Sequence, residues 1–291
     1  MKKILLVVDC LGWAFHRIAL QIVKHLGHRA EFVIVDNVLK APEARWDVAL
    51  YFWWRTSLRA RKAIKAKDNL IGIYDDWSRQ RYPKEFTQAM EAADGFCVAN
   101  TGLLTHIQET REFWTKPCFL TEDGVDLKLF RPQPSPERFT IGWAGHRVYE
   151  EMGLGDYKGI RLIEYACNRL GVPLLIADKK ANPIEYEEMP ELFYRNISCY
   201  VCASLAEGTP NPVLEALACG RPVISTQVGV VPKLPNVLFV IRDGELIAEA
   251  ITEVAKIDRR VRLGGAQWSK VEIPEWDWSV KAMAFAEAFG I

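Results

Sequence analysis

The sequence predicts an α/β chain built from two open parallel-sheet domains. Short apolar runs alternate with amphipathic stretches of helical length along the whole chain. The runs are apolar on both faces, as strands covered by helices on either side must be. The 291 residues suffice for two domains of about 100–150 residues each.

The first series has strands expected at 4–8, 32–35, 48–52, 70–74, 95–99 and 117–120, and helices at 14–26, 56–67, 84–92 and 101–112. In Phe130-Arg-Pro-Gln-Pro-Ser-Pro136, three prolines block regular pairing and predict a stiff linker. The second series has strands at 139–143, 173–177, 198–202, 222–226 and 237–241, and helices at 158–170, 187–195, 210–219 and 243–256. The expected domains are therefore 1–133 and 134–275, with a terminal helix 276–291 crossing back to the first. That helix is amphipathic through Trp276, Trp278, Val280, Met283, Phe285, Ala286 and Phe289. Two such domains place two strand-end crevices face to face across a cleft.

Composition excludes several classes. No run approaches the roughly 18 apolar residues of a spanning helix. The opening Met1-Lys-Lys-Ile-Leu-Leu-Val-Val-Asp9 is interrupted by Asp9 and lacks a small-residue cleavage site, so it reads as a buried first strand of a cytoplasmic protein. Seven cysteines, an odd count whose one Cys-x-x-Cys spacing (Cys199-Tyr-Val-Cys202) lies in an apolar strand candidate, read as free thiols in a reducing compartment. Five scattered histidines give no metal-ligand cluster, so no metal is expected. Net charge is zero, yet residues 1–135 hold 20 Lys/Arg against 16 Asp/Glu. The excess includes Arg55, Arg59, Arg61, Lys62, Lys65 and Lys67, expected on one face of helix 56–67. That face is either a solvated flank or a weak dock for an anionic partner, a membrane surface or DNA. Trp53 and Trp54 are expected in the core.

Glu207-Gly-Thr-Pro-Asn-Pro-Val-Leu-Glu215 carries the most chemistry. It sets one carboxylate in a Gly/Pro loop and a second one turn into a helix that runs to Gly220. Glu215, near the helix N-terminus, can accept hydrogen bonds from two ribose hydroxyls. Glu207, beside the backbone N–H groups of Gly208 and Thr209, can grip a sugar. Thr209 and Asn211 are alternatively helix caps. Gly142-Trp-Ala-Gly145-His146-Arg147 ends the second domain's first strand, where glycine lets a diphosphate approach the backbone. His146, Arg147 and Lys158 supply positive charge there. In the first domain, Gly12 opens a helix, and His16 either contacts an acceptor or caps local packing. Asp75, Asp76 and Trp77 close the fourth strand, either to orient an acceptor hydroxyl and stack on a sugar ring or as helix caps.

These residues resemble the retaining glycosyltransferases of the GT-B fold, a family that includes bacterial mannosyl- and glucosyltransferases. Gly124-Val-Asp126-x-x-x-Phe130-x-Pro132 looks like its interdomain element. Gly145 through Lys158-Gly159 resembles its glycine loop and phosphate-binding lysine. Glu207 to Glu215 is similar to its two glutamates separated by seven residues, closed by Ala216-Leu-Ala-Cys-Gly220-x-Pro222-Val. Trp276-x-Trp278 is also similar. The departures are Gly-His-Arg in place of Gly-Arg, a short first domain, and a first glycine loop reduced to Gly12.

The resemblance implies a compact version of two Rossmann-like domains and transfer of a sugar from a UDP- or GDP-linked donor to an acceptor hydroxyl, with retention and without a cofactor. It implies donor contacts from Gly145, His146, Arg147, Lys158, Glu207, Gly208, Thr209, Pro210, Asn211 and Glu215. Glu207, Lys158, Arg147 and Asp75 take the catalytic roles; Gly12, His16, Asp75, Asp76 and Trp77 face the acceptor, a carbohydrate, lipid-linked or modified nucleic-acid hydroxyl. Two other readings stand beside it: a non-catalytic nucleotide-sugar-binding module of a larger assembly, and the same chemistry aimed at a modified DNA base. A nicotinamide-dependent oxidoreductase would need Gly-x-Gly-x-x-Gly after a strand, and Gly12 stands alone.

Overall fold

The computed structural model describes residues 1–36, 41–60, 63–75, 80–109, 115–147, 153, 155–262 and 272–291. The chain divides into two compact units, Met1–Gly124 with Trp278–Ile291, and Val125–Asp277.

The first unit runs β1 (Lys3–Val7), α1 (Ala14–Leu26), β2 (Glu31–Val35), β3 (Arg45–Tyr51), α2 (Trp54–Ala60), β4 (Lys65–Ile73), α3 (Pro83–Ala92), β5 (Gly95–Val98), α4 (Thr101–Glu109) and β6 (Cys118–Leu120). Its sheet is parallel in the order β2-β1-β3-β4-β5-β6. Ile4, Leu5, Leu6 and Val7 are all buried, because helices cover both faces. Helix α1 turns Ile18, Ala19, Ile22 and Leu26 inward at helical spacing. Pro83 starts α3, where its missing N–H costs nothing. Asn100 Oδ1 accepts from Leu103 N–H (2.9 Å) and caps α4. The C-terminal helix α9 (Trp278–Phe289) belongs to this unit and buries Trp278, Phe285 and Phe289 in one core with α1. Each such side chain contributes about 1.5–3 kcal/mol. Lys281 Nζ holds Glu122 across 2.9 Å in the same unit.

The second unit runs β7 (Ile141–Gly145), α5 (Ile160–Leu170), β8 (Leu174–Asp178), α6 (Met189–Leu192), β9 (Cys199–Cys202), α7 (Asn211–Ala218), β10 (Val223–Ser225), β11 (Val237–Phe239) and α8 (Gly244–Arg262). Its parallel order is β11-β10-β9-β7-β8. Gly171, with positive φ, ends α5, and Asp243 Oδ1 caps α8 through the N–H groups of Glu245 and Leu246.

Three expectations are corrected. The basic helix 56–67 does not exist as one element: α2 stops at Ala60, and exposed Lys65 and Lys67 lie on β4, which continues the β3 pairing (Arg45 opposite Lys65). Arg61 and Lys62 lie outside the described residues. Stretch 187–195 is only one α turn, α6, between two 3-10 turns, because Pro190 and the short spacing to β9 leave no room for more. Trp54 is buried, but Trp53 is 38% exposed.

The division between units also falls earlier than the proline-rich stretch. Val125 and Phe130 are buried with Trp276 in the second unit's core, and Val125 N–H donates to Trp276 O (2.8 Å). Asp126 Oδ1 accepts from Lys128 and Leu129 N–H, closing a local turn. Buried Arg221 then clamps the prolines: its guanidinium donates to Gln133 O (2.9 Å), Pro134 O (2.5 Å) and Tyr194 O (2.9 Å). The expected stiff linker is therefore held within the second unit rather than between the units.

Candidate functional site

In the second sheet, the chain leaves β7 toward β8 on one side and β9 and β10 lie on the other. Between the carboxyl ends of β7 and β9 the connections diverge, which opens a crevice at the sheet's switch point. Gly145 ends β7, and the connection after it carries His146, Arg147 and Lys158; the loop after β9 carries Ser204, Glu207, Gly208, Thr209 and Pro210.

These two loops are stitched together. Leu205 N–H donates to Tyr157 O over 3.0 Å. Arg242 Nε donates to Ala203 O over 2.9 Å, and its Nη2 bonds Asp156 O. Gly159 has φ +72°, and a Cβ there would sit 2.2 Å from the Ala203 carbonyl oxygen, so only glycine permits the approach.

Across the crevice Lys158 Nζ donates to Glu207 Oε1 at 2.6 Å. Lys158 is 24% exposed and Glu207 15%. Ser204 Oγ donates to the same Glu207 oxygen at 2.7 Å. Ser204 is itself held, since Thr226 Oγ1 donates to its carbonyl at 2.8 Å. The strength of such charge-assisted bonds, about 1.5–3 kcal/mol each, makes this a pre-formed carboxylate–ammonium centre.

Glu215 lies on α7 with 6% exposure, and Tyr194 OH donates to its Oε2 at 2.7 Å. Burial, then the Glu215 charge, pushes the Tyr194 phenol well above its ordinary range, so it stays a donor. At the start of α7 the cap position is Pro210, with no side-chain cap bond. Asn211 Oδ1 is buried with no hydrogen-bond partner, which rules out its reading as a satisfied cap. Thr209 is buried beside it.

The loop after β7 is anchored by Asp178 at the end of β8. Its carboxylate accepts from the N–H groups of Arg147 (3.2 Å), Lys180 (2.9 Å) and Ala181 (2.9 Å). Burial opposes its ionisation, but these amides and the His146 charge outweigh that and hold it below the usual carboxylate range. The Arg147 guanidinium is 2.5 Å from Glu164 Oε1 on α5.

Of the first unit's expected residues, Gly12 and His16 follow β1 and Asp75 follows β4, all at the carboxyl end of that sheet. Gly12 N–H donates to His16 Nδ1 at 2.9 Å, so one ring nitrogen of His16 caps its own loop. Asp75 is half-buried. Asp76 and Trp77 lie outside the described residues. Among the described residues no three His, Cys, Asp or Glu side chains gather as metal ligands, and no helix is long and apolar enough to cross a membrane.

Sequence reasoning missed Ser204, Tyr194, Asp178 and Arg242. Ser204 stands three residues before Glu207 and was within reach of a closer reading. The other three act through tertiary contacts that no spacing announces.

Comparison with known proteins adds to this geometry. Solved structures with similar folds include sucrose-phosphate synthase from Thermosynechococcus elongatus, with 13% identity, coverage of 100% of this chain and 98% of that one, and a TM-score of 0.67. The Anabaena protein Alr3699/HepE, solved in complex with UDP-glucose, has 14% identity, full coverage of both chains and a TM-score of 0.72. The lipopolysaccharide outer core galactosyltransferase WaaB has 13% identity, 99% coverage of both chains and a TM-score of 0.63. The fold is therefore the two-domain, Rossmann-like α/β fold of GT-B glycosyltransferases. Residues 181–256, which contain Tyr194, Ser204, Glu207, Glu215 and Arg242, match the family model described as Glycosyl transferases group 1. No curated protein matches the chain.

Proposed function

We propose that the chain transfers a glycosyl group from a nucleoside-diphosphate sugar to an acceptor hydroxyl, with retained anomeric configuration. The observation that carries this reading is the Lys158–Glu207 pair at the switch point between β7 and β9, inside or beside the segment that matches the group 1 model. UDP is the favoured donor nucleotide over GDP, since a structure of the same fold holds UDP-glucose.

In this reading Glu215 accepts from the ribose hydroxyls, with Tyr194 fixing its orientation. Glu207 accepts from hydroxyls of the transferred sugar, and the Gly208–Thr209 backbone and Asn211 Oδ1 complete the polar lining. Lys158, with Arg147 and His146, faces the diphosphate. The anomeric C–O bond to the diphosphate breaks and a bond to the acceptor oxygen forms on the same face. The acceptor proton passes to the leaving diphosphate oxygen. The cations stabilise the charge that grows on that leaving group, which is a transition-state effect. Alignment of donor and acceptor supplies the remainder.

Gly12, His16 and Asp75, with Asp76 and Trp77, remain the proposed acceptor side, and the acceptor is a carbohydrate or lipid-linked hydroxyl. The test is diphosphate release by the pure protein across a panel of UDP- and GDP-sugars, with and without simple acceptors. Acceptor-dependent UDP release that falls at least about hundredfold in Glu207→Gln supports the reading. Tight donor binding with no transfer to any acceptor favours the non-catalytic module instead.

A further inference from the structure

Lys158 and Arg147, the cations proposed to face the diphosphate, are each matched by a carboxylate of the chain. Lys158 pairs with Glu207 across the crevice, and the Arg147 guanidinium pairs with Glu164 in the second turn of α5. The two carboxylates are held differently. Glu207 also accepts from Ser204 Oγ at 2.7 Å, and its side chain is largely shielded from water. Glu164 is 35% exposed, and among the described residues its hydrogen bond comes from Arg147 Nη2. Releasing a carboxylate that already touches water costs little, whereas releasing Glu207 would strand a shielded charge.

Arg147 is anchored where one backbone position can serve two oxyanions. Its N–H donates to the Asp178 carboxylate at 3.2 Å, and that carboxylate is fixed in turn by the N–H groups of Lys180 and Ala181. The backbone is thus held while the guanidinium sits at the end of a flexible stem. A carboxylate and a phosphate offer a guanidinium the same pair of acceptor oxygens, so Glu164 imitates the phosphate that Arg147 is proposed to meet. As a plain surface ion pair, Arg147–Glu164 would contribute little to stability. Beside an anion site it also has a cost, because a negative charge there opposes the ligand. That cost is useful where a nucleoside diphosphate must leave after every turnover.

We propose that Glu164 is an internal counter-ion of Arg147, displaced by the donor's diphosphate and recapturing Arg147 when the nucleoside diphosphate departs. Glu164 is a positioning residue: it touches Arg147, not the substrate. Binding then exchanges one ion pair for another instead of adding one, which moderates donor affinity and speeds product release. The inference rests on the transferase reading of this site and adds to it the control of nucleotide affinity.

The experiment is calorimetric titration of UDP into the full chain, at low ionic strength and at about 0.5 M salt. The proteins are the parent, Glu164→Gln, Glu164→Ala, Arg147→Gln and Arg147→Gln/Glu164→Gln. Both Glu164 variants are expected to bind UDP about tenfold tighter than the parent. Salt is expected to weaken that binding more steeply, since a charge pair is now gained and not exchanged. In the Arg147→Gln background, loss of Glu164 is expected to change UDP affinity by less than about twofold. Steady-state kinetics on Glu164→Gln is expected to show a lower donor KM and inhibition at lower UDP concentration. Unchanged or weaker UDP binding in both Glu164 variants overturns the proposal, and so does their failure to fold, which thermal melts report and which would make Glu164 structural. An equal gain without Arg147 overturns it too, because that marks the general field of the charge. A parent that binds UDP with affinity indifferent to Glu164 sinks this inference alone; a parent that binds no nucleotide sinks the transferase reading with it.

Discussion

Lys158 Nζ sits 2.6 Å from Glu207 Oε1 across the crevice between two strand ends, and the partners are 49 residues apart in sequence. Each group is mostly shielded from water, so each needs the other more than a surface pair would.

Removing one partner is therefore worse than removing both. Lys158→Met removes the ammonium partner of the Glu207 carboxylate and is expected to cost about 1–3 kcal/mol of stability. Lys158→Met/Glu207→Gln is expected to recover at least part of that loss. Urea unfolding of the four proteins in a double-mutant cycle measures the coupling; strictly additive losses would show the pair is not formed.

Ser204 is a positioning residue. Its Oγ holds the Glu207 oxygen at 2.7 Å and its own backbone is fixed by Thr226. Ser204→Ala is expected to lower kcat about ten- to hundredfold with donor KM nearly unchanged, and Ser204→Thr to restore most of it. Steady-state kinetics on purified variants separates this from a general loss of folding, which would move both parameters together.

Asp123 makes stability depend on pH. Burial, then the charge of Glu122, raises its carboxyl well above the ordinary value. The folded state therefore keeps a proton that the unfolded chain releases above about pH 4. The stabilising effect is full below that pH and is lost as pH rises through the raised folded value. Asp123→Asn preserves shape and cannot ionise. It is expected to be at least as stable as the parent at pH 8, with a flatter melting temperature between pH 5 and 8. A variant with the parent's full pH slope would contradict the assignment.

The thiols give an inexpensive check on the core. All seven cysteines are free, and Cys10 is exposed while Cys97, Cys167, Cys199, Cys202 and Cys219 are buried. Burial raises Cys97 and Cys219 to about 12 and Cys167 to about 11, leaving almost no thiolate at neutral pH. Native protein is expected to react promptly with Ellman's reagent at Cys10, slowly at half-buried Cys118, and at all seven only in denaturant.

Much of this molecule was legible before its structure. Helix α1 matches the expected 14–26, and every expected strand overlaps an observed one, because apolar runs covered on both faces carry a strong signal. The basic stretch was misread since Arg55, Arg59, Lys62 and Lys65 recur three or four residues apart in the sequence, while pairing of Arg45 with Lys65 places Lys65 and Lys67 on β4. Tertiary pairing overrode a local pattern there. The proline-rich stretch was read as a linker because nothing local reveals Arg221, 86–88 residues on, whose guanidinium packs it down. Glu207 and Glu215 were visible through spacing, but the hydroxyls that hold them, on Ser204 and Tyr194, became evident only through three-dimensional contacts.

In the proposed function, the second unit binds a sugar nucleotide through Glu215 and Glu207 in different roles. Calorimetric titration of UDP and UDP-glucose into the parent, Glu215→Gln and Glu207→Gln tests it most directly. The prediction is that Glu215→Gln weakens both ligands about tenfold or more, whereas Glu207→Gln weakens UDP-glucose and leaves UDP nearly unchanged. Absence of UDP and UDP-glucose binding in the parent, or affinities indifferent to Glu215, would contradict it.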